Sequence, residues 1–117
     1  MSPRARVRWN GQAATRRAQQ GAARGARLGA EHLLNVSRDR VPIEEGTLER
    51  SGTVTVDEAN TAAVVSYDTP YAVRQHEDMT LRHDAGRTAK YLEDPLNEEQ
   101  ATIQAIIAAQ VRRELRD

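Results

Sequence analysis

The residues best suited to chemistry stand close together in the second half of the chain: His76, Glu77, Asp78, His83 and Asp84. Imidazole and carboxylate side chains are the usual ligands of zinc and of non-haem metals. Their spacing matches no ligand motif. The helical zinc-protease pattern needs a second His three residues after His-Glu, and Leu81 and Arg82 still separate Thr80 from His83. His32, far upstream, reads as a surface or interface residue. Ser51-Gly52 lacks the preceding residues of a nucleophile elbow, and Lys90 stands far from any Gly-rich phosphate loop. The carboxylate pairs Glu44-Glu45 and Glu98-Glu99 fall in a turn and at a helix start, where solvation and the helix dipole account for them. The sequence therefore points away from catalysis, with no catalytic residue, no metal ligand and no cofactor expected.

The charged residues carry a second signal. Residues 1–40 hold nine Arg against Glu31 and Asp39, a net of +7, and the rest of the chain is −7, so the total is zero. Such asymmetry suggests a basic region that meets nucleic acid or an acidic neighbour. Arg4, Arg6, Arg8, Arg16 and Arg17 are the residues expected to make that contact, either with an acidic partner or with DNA phosphates read without regard to sequence. A head-to-tail contact between copies of the chain is an equal alternative.

The elements that must position these residues follow from periodicity. Residues 1–10, with Pro3 and the alternating Arg, read as a flexible basic arm ahead of one domain spanning 11–117. From Gly11 to Arg40 the apolar positions Ala22, Ala26, Leu33 and Leu34 recur at helical spacing. Gly21, Gly25 and Gly29 line one face of that helix, where small residues permit close approach in a ring or bundle. Val41-Pro42 ends it. Val54 and Val56 alternate with Thr, Asp57 to Asn60 supply a turn, and Ala63 to Tyr67 return, which is the pattern of an antiparallel hairpin. Tyr71 to Glu77 suits one or two helical turns, and Thr88 to Leu92 reads as a further strand edge. Asp94 and Pro95 open a closing helix with its apolar stripe at Ile103, Ile106, Ile107 and Val111. The result is an α+β fold: long N-terminal helix, small antiparallel sheet, closing C-terminal helix.

Among its 117 residues the chain has no Phe, no Cys, one Trp and three Tyr, and much of its apolar content is Ala. Such a core is thin, and oligomerisation is the natural remedy. No disulfide framework is possible, and no apolar run approaches a membrane span.

Three stretches, in order, resemble the head–tail joining or tail completion proteins of long-tailed bacteriophages, often described as minor capsid or neck proteins. The first is Val41-Pro42-Ile43-Glu44-Glu45-Gly46-Thr47-Leu48-Glu49-Arg50-Ser51. The second is Val65-Ser66-Tyr67-Asp68-Thr69-Pro70-Tyr71-Ala72 followed by Gln75-His76-Glu77. The third is His83 and Gly86, then Ala89-Lys90-Tyr91-Leu92-Glu93-Asp94-Pro95-Leu96. The agreement spans about residues 33–115. It implies an α+β ring subunit with no cofactor, in a homo-oligomeric, sixfold ring of the virion neck, made in the host cytoplasm. It implies partners above and below: head-side connector or stopper proteins, and the tail terminator or tail tube. DNA in the channel is a further contact, and no membrane is involved. The resemblance also makes Pro70, Tyr71, Ala72, Tyr91 and Leu92 structural or interface residues. A terminator or stopper of the same neck is the nearest alternative, and a small Arg-rich DNA-binding protein is another.

Overall fold

The computed structural model describes residues 4–41, 51–67 and 90–116. The elements in chain order are β1 (Arg4–Arg8), α1 (Arg16–Arg38), β2 (Gly52–Asp57), a 3-10 turn (Glu58–Asn60), β3 (Ala62–Tyr67), α2 (Lys90–Glu98) and α3 (Gln100–Arg116). The architecture is the expected α+β one. A long helix lies on a three-stranded antiparallel sheet of order β1-β3-β2, and the closing helix packs along that long helix.

The first strand corrects the reading of residues 1–10 as a flexible arm. Arg4 to Arg8 pair with β3 in register, Arg4 opposite Ser66 and Arg8 opposite Ala62. Ala5 and Val7, between the arginines, are buried in the core. The alternation of charged and apolar residues is a strand's two-residue period, and burying two small side chains was enough to recruit the segment. Gln104 of α3 holds its end: the amide Nε2 donates to the carbonyl of Arg8, and Oε1 accepts from the backbone N–H of Asn10, at 2.8 and 2.9 Å.

Helix α1 begins later than Gly11, because Thr15 caps it with its hydroxyl accepting from the N–H of Ala18 at 3.1 Å. Its buried face is built almost entirely from Ala and Gly until Leu33 and Leu34. The glycines explain how so little side-chain volume makes a core. A Cβ at Gly21 would stand 2.8 Å from Cα of Val111, and one at Gly25 would stand 2.6 Å from Cα of Ile107. At Gly29 the nearest atom would be the Cγ2 of Ile103, at 3.0 Å. Two four-residue rows, Gly21-Gly25-Gly29 and Ile103-Ile107-Val111, therefore run antiparallel in contact. The close packing anticipated for a ring or bundle is made within the chain, between α1 and α3.

The hairpin is as expected, with Val54 opposite Val65 and Val56 opposite Ala63. Thr61 closes its turn in the left-handed region, at φ 49°. The expected strand edge over Thr88–Leu92 is helical from Lys90 on. Tyr91 and Leu92 have strand-like composition, but their burial on neighbouring positions of a helix outweighs it. Pro95 lies inside α2 rather than at the start of the closing helix. The chain turns at Glu99 and continues, since the N–H of Ile103 bonds the carbonyl of Glu99 at 2.8 Å. Ile103, Ile107 and Val111 are buried, and Ile106 is only half-buried beside them.

Candidate functional site

The expected structural residues divide by position. Tyr91 and Leu92 are buried, 2% and 3% exposed, in the cluster joining sheet and helices. The ring of Tyr91 meets that of Tyr67 edge to face, centroids 5.1 Å apart, and Tyr67 shares a hydrogen bond of 2.8 Å with the buried hydroxyl of Ser37. The strand end is thus tied to α1 and α2 at one point. Pro70, Tyr71 and Ala72 lie outside the described residues, as do His76, Glu77, Asp78, His83 and Asp84. Among the described residues no group of three or more His, Cys, Asp or Glu could hold a metal, and no helix is long and apolar enough to cross a membrane.

The five arginines expected to act together are separated by the fold. Arg4, Arg6 and Arg8 point to the face of the sheet opposite α1, because Ala5 and Val7 take the inner side. On that outer face they stand beside Val64 and Ser66 of β3 and Thr53 and Thr55 of β2, which the register places at the same level. The hydroxyls of Thr53 and Ser66 lie 3.3 Å apart across it. Among the described residues the acid of this face is Asp57, 3.3 Å from Arg6. Its carboxyl is held below the usual carboxylate range, chiefly by the side-chain amide of Asn60 and less by Arg6. Among the described residues Arg4 and Arg8 have no ion pair.

Arg16 belongs to a different surface. With Arg24, Arg27 and Ala23 it lines one wall of a groove of about 790 Å³, whose other wall is Val56 of β2 and Ala59 of the 3-10 turn. This groove is nearly neutral, since Arg24 pairs with Glu114 at 3.4 Å, Arg27 with Glu31 at 3.2 Å, and Glu58 stands at its rim. Arg17 serves neither surface: its guanidinium donates to the carbonyl of Glu114 at 2.8 Å and fastens α1 to the end of α3.

Two polar links were not legible in the sequence. His32 Nε2 and Glu99 Oε1 are 2.6 Å apart in the seam where the chain turns between α2 and α3, both half-buried. Among the described residues no other side chain bonds to either, so the pair couples helices without the third group a nucleophilic or acid–base site would need. Arg40, just past α1, grips Glu98 with both terminal nitrogens. That pairing holds the Glu98 carboxyl below its ordinary range. Sequence separations of 67 and 58 residues hide both contacts from local patterns.

Among the described residues the features suited to recognition are an open cationic sheet face and a groove beside it. Comparison with protein-family models, curated proteins and solved structures returns no match for the chain.

Proposed function

We propose that the chain is a structural subunit of the neck of a long-tailed bacteriophage, joining the tail to the head connector. The observation that carries this reading is the ordered resemblance over residues 33–115, whose three stretches occur in a chain with the α+β architecture the resemblance implies. Its last stretch runs through α2 directly into the closing helix, with Tyr91 and Leu92 in the core. A joining subunit needs shape and contact surfaces rather than an active centre. The exposed arginine face and the groove beside β2 are surfaces of that kind. Assembly into a ring, sixfold by the same resemblance, would add subunit contacts to a small core to which α1 contributes mostly Ala and Gly. A terminator or stopper of the same neck is the alternative, because such proteins differ more by partners than by fold.

Electron microscopy of lysates from a phage lacking this gene tests the reading. DNA-filled heads beside separate tails of normal length are the expected result. Tails of uncontrolled length would indicate a terminator, and heads emptied of DNA a stopper. Intact virions would overturn the neck assignment.

A further inference from the structure

The outer face of the sheet carries three parallel arginines on one strand, of which only Arg6 meets an acid among the described residues. Arg4, Arg6 and Arg8 are exposed, and a strand places alternate residues about 6.6–6.8 Å apart on the same side. That regular step suits a row of anions repeated along a polymer, where each guanidinium meets one charge. Beside the row lie the exposed hydroxyls of Thr53 and Thr55, further hydrogen-bonding groups at the same levels of the sheet. Asp57 is the acid on this face, at one corner, and its exposed pairing with Arg6 is of the kind that exchanges at little cost.

We propose that this face is a binding surface for the phosphodiester backbone of duplex DNA, contacted without sequence readout through Arg4, Arg6 and Arg8. Charge complementarity selects a polyanion. Among the described residues no aromatic side chain stands exposed on this face, which favours the duplex. Binders of single strands use aromatic side chains on which bases stack, whereas Tyr67 and Tyr91 are buried and Trp9 packs against Gly11 and the core. A duplex presents its phosphates outward and asks for nothing but cations and donors. The inference does not rest on the neck reading. A binding curve decides this one and phage morphology decides the other, so each can fail alone.

Fluorescence anisotropy of the purified full chain with a labelled duplex, titrated across salt concentrations, is the test. Three neutralised phosphates give a log–log salt slope of about −2.7. The triple variant R4Q/R6Q/R8Q, with helix and sheet content verified by circular dichroism, should bind at least about tenfold more weakly at low salt and lose most of that slope. R4K/R6K/R8K should retain binding, because a backbone phosphate accepts a point charge. D57N should bind more tightly, having lost the acid that pairs with Arg6, and R112Q/R113Q on α3 should bind as the unaltered protein does. Should the triple variant fail to fold, R6Q alone still reads out as a slope shallower by about 0.9. Unchanged binding in R4Q/R6Q/R8Q, or absence of salt-dependent binding, overturns the assignment. So does tighter binding of the matching single strand. Displacement of the duplex by poly-glutamate at equal charge concentration would also overturn it, in favour of an acidic protein partner.

Discussion

At the residue scale the decisive side chains are few because large ones are few. Tyr91 illustrates this. Its ring edges onto Tyr67, which in turn reaches Ser37 of α1, so one aromatic pair joins β3, α2 and α1. Removing it leaves a cavity in a core that has little else to collapse inward. Tyr91→Ala should cost about 3–5 kcal/mol, the range of aromatic truncations, read as a fall in the urea midpoint at unchanged slope. Tyr91→Phe keeps the ring and should retain most of the stability. A loss in Tyr91→Phe as large as in Tyr91→Ala would mean that the hydroxyl, not the packing, is what matters. The resemblance had already marked Tyr91 and Leu92 as structural candidates. The partner was not, since Tyr67 and Tyr91 meet only when the chain returns from a distant segment.

At the scale of elements, the contact of α1 with α3 depends on the absence of side chains. Helix propensity favours Ala over Gly by about 1 kcal/mol, so exposed glycines in α1 would be improved by replacement. At Gly25 the reverse is expected, because a methyl group would meet the Cα of Ile107, which only a backbone shift can relieve. Gly25→Ala should therefore be destabilising by about 1–3 kcal/mol, as overpacked cores are. Gly29→Ala meets the methyl end of Ile103 instead and should be milder. Thermal melts of the two variants check the order. Equal melting temperatures would show that the helices separate easily. The four-residue glycine spacing was plain in the sequence, but its partner was not. The same pattern serves two copies of a helix or two helices of one chain, and only the register with Ile103, Ile107 and Val111 distinguishes them.

At the scale of the molecule, exposed ion pairs fasten the ends of the helices, Arg40 with Glu98 and Arg24 with Glu114. Glu98 has a folded-state pKa depressed by Arg40. A depressed carboxylate contributes stability above its unfolded pKa, and the contribution disappears as pH falls through the folded value. Asp57, depressed mainly by Asn60, acts in the same direction. Stability should therefore decline as pH is lowered from about 6 to about 3, and Glu98→Gln should show a shallower decline. Denaturant midpoints at several pH values measure it. A steeper decline in Glu98→Gln would assign the acid sensitivity elsewhere. Both groups are exposed, so the difference between variants will be modest.

What the sequence determined by itself was whatever depends on neighbours along the chain. Helical spacing in α1 and α3, the alternation of β2 and β3 around a turn, and the α+β order all arise within windows of a few residues. The charge asymmetry was equally visible, but its meaning was not. Five arginines close in sequence looked like one arm, and the tertiary structure sent them to three places. Two small apolar residues, Ala5 and Val7, drew a charged segment into the sheet as its edge strand, and pairing with β3 turned Arg4, Arg6 and Arg8 into a row. The same burial logic made Lys90–Leu92 helical against its composition. These outcomes depend on which surfaces meet across fifty or more residues of chain, and only the folded structure decides that.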